Sequence, residues 1–357
     1  MTTRLRNAGS IASLAGVMLL VGCSTKDNGM DQLSEISGSV KKQLAFTCTH
    51  EKDRIPPRDA EAEQLYRHAR WLVKGNVLKQ DPSVYPRTER LLRIATAYGH
   101  DKANIELREM LEKGRAVSPD PVNEIIDLVQ ELIKRGVPSG YYSMGWYLEH
   151  GYGVRADREL GFKYYRKSAD LGNPEGQYLL GKTLSDERTY GTEVANIGKD
   201  LLRCAGDQRH QQAAYEIGIR LRRAGELPKA MAYFQVSSAE GLAIGASSLS
   251  DAFGERDHAS PVWGLGQAVD AERQARYKVV EDFLSRYDYL NAKVPELDEI
   301  LPLPPAKLPA WDGKFRWLEE HKANVPPPLP TEERIAEMAR AKGLDPKTGR
   351  LLTLASR

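Results

Sequence analysis

The chain has 357 residues, 51 Lys and Arg against 49 Asp and Glu, and three cysteines. A formal charge of +2 with no basic cluster excludes the electrostatic footprint of a nucleic-acid binder, which concentrates its cations on one face. The sequence has no Cys-x-x-Cys, and so neither paired-cysteine zinc spacing nor a thiol-redox motif is present.

The first stretch reads as a targeting segment. Arg4 and Arg6 form a basic start, Ile11 to Val21 an apolar run, and Leu20-Val21-Gly22-Cys23 closes it. A run of eleven residues is too short for a bilayer span, which needs roughly 20. The four-residue ending resembles a bacterial lipobox. That resemblance implies a signal peptide at 1–22, lipidation of Cys23 and export to the periplasm. Ser24 then implies sorting to the outer membrane. Cleavage removes two arginines and no acids, leaving 49 bases and 49 acids. Membrane contact is therefore expected through the N-terminal lipid, not a polybasic surface.

Residues 23–58 carry Gly29, Gly38, Pro56 and Pro57 and read as a tether with a short helix near Asp31–Phe46. From 59 to 292 the pattern is helical: Ala62, Leu65, Ala69 and Leu72 share one face, and Leu91, Leu92, Ile94, Ala95 and Tyr98 form another run. Glycines recur at 99, 136, 172, 206 and 241, spaced by 37, 36, 34 and 35 residues. Read as left-handed caps that end second helices, they predict about five stacked units whose apolar faces are buried only by their neighbours. A long helix is expected from Ala268 to Leu290.

One unit is written out most clearly. Met144-Gly145, Gly151-x-Gly153-Val154, Asp157, Tyr164-Tyr165-x-Lys167-Ser168-Ala169 and Gly172 describe helix, turn, helix and turn in about 36 residues. The stretch resembles a Sel1-like repeat, a relative of the tetratricopeptide repeat. The resemblance implies an all-α, right-handed helix-turn-helix solenoid.

Nine of the twenty prolines fall between 295 and 330, so 293–357 is expected to be an extended proline-rich region. It either packs along the solenoid as a strap or is offered to a partner. Trp311 to Leu318 reads as a short helix or turn. Thr331 caps a last helix that Gly343 ends. From about Leu297 the region resembles a domain of unknown function that follows such repeats in proteobacterial lipoproteins.

Catalytic constellations are missing. Gly176 to Thr183 fits P-loop spacing, but no apolar strand precedes it and Asn173-Pro174 opens a helix there. The seven histidines form no HExxH, and no Gly-x-Ser-x-Gly elbow occurs. No catalytic residue, metal site or cofactor is expected. Cys48 and Cys204 either pair, as an oxidising compartment permits, or stay as two buried thiols.

An inert solenoid presents a surface. Ser143, Trp146 and His150 share a face of one first helix, continued by Leu179 and Lys182 in the next. With Trp311 and Trp317 they are the candidate contacts for a protein partner, Trp being enriched among interface anchors. Signal, repeats and proline-rich end are together similar in layout to the immunity lipoproteins of type VI secretion phospholipase D effectors. That resemblance implies a periplasmic protein that binds a toxin and occludes its active site. An envelope adaptor organising other periplasmic proteins is the alternative.

Overall fold

Side-chain caps decide where the helices begin. Asp59, His100, Asp120, Asp157, Asn173 and His210 each stand just before a helix and accept the amide hydrogen three residues on, satisfying a donor with no intrahelical partner. The computed structural model describes residues 45–254 and 264–352. The signal segment, Cys23 and the expected tether helix up to residue 44 lie outside the described residues.

The repeat helices are α1 (Ala60–Asn76), α2 (Tyr85–Ala97), α3 (Asp101–Glu112), α4 (Pro121–Lys134), α5 (Pro138–His150) and α6 (Arg158–Asp170). They continue as α7 (Pro174–Leu184), α8 (Glu187–Asp207), α9 (Gln211–Arg223), α10 (Leu227–Ala239), α11 (Ala243–Phe253) and α12 (Ala271–Arg286). The C-terminal region adds α13 (Leu297–Ile300), α14 (Arg316–Ala323) and α15 (Glu332–Ala341). Consecutive helices pack as six pairs, and each second helix also touches the first helix of the next pair. The fold is an all-α, right-handed helix-turn-helix solenoid with a proline-rich C-terminal strap.

Within the third pair the two helices cross at backbone distance. A Cβ on Gly145 would meet the Tyr165 ring at 2.7 Å, and one on Gly161 would meet the Gly145 carbonyl at 3.0 Å. Gly161, where the repeat usually carries Ala, is thus set by close approach.

The glycine period is corrected at one position. Gly99, Gly136, Gly172 and Gly241 do end helices with positive φ, but Gly206 lies inside α8, and Arg209 (φ 66) takes the left-handed position. A Cβ on Gly206 would stand 2.5 Å from Ile217 Cδ1, so that glycine serves α8–α9 packing. The P-loop-like stretch is helix α7 itself, and a Cβ on its Gly181 would meet Leu202 of α8 at 2.8 Å. The last repeat helix is shorter than expected, ending at Arg286 before a 3-10 turn at Asp288–Leu290.

Two straps tie the array. Ahead of α1, the Thr49 carbonyl accepts from Gln177 Nε2 at 2.9 Å, the Glu51 amide donates to Gln208 Oε1 at 2.7 Å, and Cys48 is disulfide-bonded to Cys204 of α8. After α12, the strap first covers the last pairs. Leu297, Leu301 and Phe315 join Phe234, Tyr277, Val280 and Phe283 in one buried cluster. Arg273 donates to the carbonyls of Pro302 and Ala306, and Gln235 Nε2 to that of Leu301 at 2.8 Å.

The same strap then reaches the opposite end of the array. Ile335, Met338 and Ala339 of α15 and Leu344 are buried with Leu65, Leu91, Leu92 and Ile94. Arg334 makes a two-armed ion pair with Glu61 (2.8 and 2.7 Å), and Arg350 another with Glu89 (2.9 and 3.1 Å). The C-terminal region therefore supplies apolar cover to both terminal pairs, the ends that a repeat array must cap.

Candidate functional site

On α5 the spacing of three and four residues lines up Ser143, Trp146 and His150. Trp146 is 42% exposed, and its ring stacks on His150 with centroids 4.3 Å apart. Tyr152, just past the helix, packs on Tyr147 at 5.2 Å and lies 6.4 Å from Trp146. A small aromatic surface results, open to solvent on the Trp146 side.

Beneath it lies a buried polar network. Arg108 of α3 donates from Nη1 to Tyr147 Oη at 3.0 Å, from Nη2 to Ser143 Oγ at 3.2 Å and from Nε to Asn104 Oδ1 at 3.1 Å. Tyr147 Oη in turn donates to Glu112 Oε1 at 2.8 Å. Burial, with Glu112 adding, pushes the Tyr147 hydroxyl up to about 12 against the pull of Arg108, so it stays protonated as a donor. Ser143 is thereby held inward, and Trp146 with His150 is what this face offers.

The remaining predicted contacts are dispersed. Leu179 is half-buried against Tyr165, Leu180 and Leu201. Lys182 is exposed, its ammonium 5.9 Å from the centre of the Tyr178 ring. Trp311 and Trp317 are half-buried in the strap's own cluster. Trp311 is edge-on to Phe315 and donates Nε1 to the Lys314 carbonyl at 2.9 Å, and Trp317 is edge-on to Phe283. Their first role is to cover the last helices.

The sequence reading missed a cleft of about 490 Å³ between α1 and α14, lined by Arg67, Arg70, Trp71, Lys74, Trp317 and His321 among others. Trp71 and Lys74 stood in the sequence as one turn of an apolar-basic helix. Nothing there showed that α14, more than 240 residues later, faces them.

Two histidine–carboxylate pairs invite a catalytic reading that their geometry contradicts. His100 Nε2 is 2.9 Å from Glu63 and His210 Nε2 3.1 Å from Glu175, with Tyr66 and Tyr178 rings packed on the imidazoles at 4.5 and 4.6 Å. In both, Nδ1 accepts a helix-starting amide, so each ring is a helix cap; in His100 the second nitrogen also bonds Glu63, whereas His210 Nε2 stands near Glu175 without a hydrogen bond. Cys48, His50 and Cys204 bring potential metal-ligand atoms within 4.8 Å of one another. Both sulfurs are committed to the disulfide, which leaves no thiolate there to bind a metal.

Stacked helix pairs with a two-ended strap define a Sel1-type solenoid. Residues 138–173 match the Sel1 repeat, and residues 245–352 match a domain of unknown function, DUF6396. No curated protein matches the chain. Among solved structures, immunity protein Pa5087 from Pseudomonas aeruginosa is 30% identical, with a TM-score of 0.55 over 73% of this chain and 95% of that one. Immunity protein PA5088 from the same organism is 27% identical, with a TM-score of 0.57 over 73% and 94%. Pseudomonas aeruginosa 5086 is 29% identical, with a TM-score of 0.55 over 73% and 95%. The chain belongs to the family of immunity protein Pa5087 and carries a Sel1 repeat.

Proposed function

We propose that this protein is an immunity protein: it binds an antibacterial effector encoded beside it and neutralises that effector by covering its active site. The observation that carries the reading is the 30% identity to immunity protein Pa5087 across 95% of that chain. The exposed Trp146–His150 stack on a rigid polar base supports it, because a preorganised aromatic anchor binds with little ordering cost.

The finer parts belong to the same proposal. The effector is a phospholipase of the type VI secretion system, and the protein works in the periplasm, held by a lipid on Cys23 and sorted to the outer membrane. A phospholipase must admit a headgroup and dock on a bilayer, so a solenoid seated on its mouth blocks both. Anchoring the inhibitor where incoming toxin acts raises its effective concentration without further contacts. In this reading the chain itself carries no catalytic role.

The test is a pulldown of the tagged full chain from a strain expressing its secretion system, followed by mass spectrometry. Recovery of one toxin-like phospholipase is the expected result. Recovery of several envelope enzymes and no toxin replaces this reading with the adaptor one.

A further inference from the structure

The cleft between α1 and α14 has a defined shape and a lining in which Glu63 and Glu320 stand beside Arg67, Arg70 and Lys74. Its floor is α1, with Arg67, Arg70, Trp71 and Lys74, and its far wall is Trp317 and His321, whose rings stack at 5.2 Å. Trp71 is fixed by donating Nε1 to Asn324 Oδ1 at 2.9 Å, and the loop beyond is held by the contact of His68 Nδ1 with the Pro327 carbonyl at 3.1 Å. The aromatic walls are thus built in place.

The cations differ in their commitments. Arg67 is paired with Glu63 and Arg70 with Glu106. Lys74 makes no ion pair among the described residues, and its ammonium stands 5.7 Å from the centre of the Trp317 ring. Burial and the neighbouring Arg70 depress its pKa, with Glu320 opposing weakly. A half-buried ammonium beside another cation is stabilised by any anion that enters, and the low-dielectric walls strengthen that attraction.

We propose that this cleft is a second contact site for the protein partner, receiving an acidic loop whose Glu or Asp carboxylate pairs with Lys74 against the indole walls. The proposal rests on the immunity reading for the identity of the partner, but the cleft's preference for carboxylate is a property of this chain alone. The occupant is a carboxylate and not a quaternary ammonium, because Lys74, the lining cation that no carboxylate pairs among the described residues, already sits against the Trp317 face. A volume of about 490 Å³ admits a few side chains of a protruding loop.

The experiment is calorimetric titration of the full chain with N-acetyl hexaglutamate amide. A hexalysine peptide, choline and phosphatidylglycerol vesicles serve as comparison probes. Lys74→Met and Trp317→Phe are the variants, with Lys134→Met, an exposed position of α4, as a control outside the cleft and thermal melts to confirm folding. The expected result is saturable hexaglutamate binding that weakens at least tenfold in Lys74→Met, drops in high salt and is unchanged in Lys134→Met. Binding that is absent or indifferent to Lys74 overturns the proposal, as does preference for choline or for the vesicles. Should Lys74→Met melt early, Lys74→Arg decides: it keeps the cation and must retain hexaglutamate binding. A wild-type chain that binds hexaglutamate through Lys74 but captures no effector leaves the cleft standing and removes the immunity reading.

Discussion

Cys48 and Cys204, 156 residues apart in sequence, are joined with Cα atoms 5.6 Å apart, so the segment ahead of the first helix is fastened to the fourth helix pair. Closing so long a loop restricts the unfolded chain strongly, worth about 2–5 kcal/mol for a native disulfide. The double variant Cys48→Ser, Cys204→Ser should therefore unfold at lower temperature. It should still unfold cooperatively, because Gln177, Gln208 and Asn173 continue to hold Thr49 and Glu51. Thermal melts of wild type with and without a thiol reductant check this; identical midpoints contradict it.

Acid should weaken the second helix pair through His100. Its Nδ1 accepts the Ala103 amide hydrogen, which places the ring proton on Nε2, facing Glu63. Burial lowers the imidazole pKa below 6.5, with Glu63, Asp101 and Arg58 as the charged neighbours and the Glu63 hydrogen bond opposing. The unfolded chain then binds more protons than the folded one below about pH 6.5, so stability rises with pH across that window. It is complete above it and is lost as pH falls toward the lower folded value. His100→Asn keeps a capping acceptor and should flatten the slope of stability against pH below about 6.5. Urea melts at several pH values measure it, and an unaltered slope contradicts the assignment.

The clasp between the strap and the first pairs should show an order of severity. Glu89 is buried and receives Arg93, Arg350 and the Val117 amide. Burial raises its pKa, but these donors together bring it below the ordinary value, so its contribution is present at neutral pH and fades on acidification. Glu89→Ala takes the carboxylate from Arg350, the Val117 amide and Arg93, which keeps only Glu124 as an ion-pair partner, and should cost about 3 kcal/mol. Arg350→Ala leaves Glu89 with Arg93 and should cost about 1 kcal/mol. Ile335→Ala, at a fully buried position of α15, should cost about 2–5 kcal/mol. Denaturant midpoints for the three variants test the order.

Trp146→Ala should separate binding from folding. The side chain is exposed and touches His150 and Tyr152 on the surface, so stability should change by less than about 1 kcal/mol. Affinity for the effector should fall at least about tenfold, as for an aromatic anchor. A variant that binds as wild type removes Trp146 from the interface.

The third pair was legible in the sequence because its signals are local: Asp157 caps α6, Gly172 ends it, and Gly145 and Gly161 mark the crossing. The fourth misled at Gly206 because the helix cap had moved to Arg209, while His210 kept the register of the next helix start. The strap's proline content announced extended chain, but not where it would lie. Its anchors, Arg334 to Glu61 and Arg350 to Glu89, join residues 273 and 261 positions apart, and no periodicity records such a pairing. The α1–α14 cleft was hidden for the same reason, while Trp146 was visible because an exposed aromatic breaks the pattern of a repeat helix.

The most direct test titrates the effector that the immunity proposal requires with the purified full chain and follows the effector's enzymatic rate. The account predicts stoichiometric loss of activity, relieved by Trp146→Ala at equal protein concentration. An effector that keeps its full rate with the wild-type chain in excess contradicts the account.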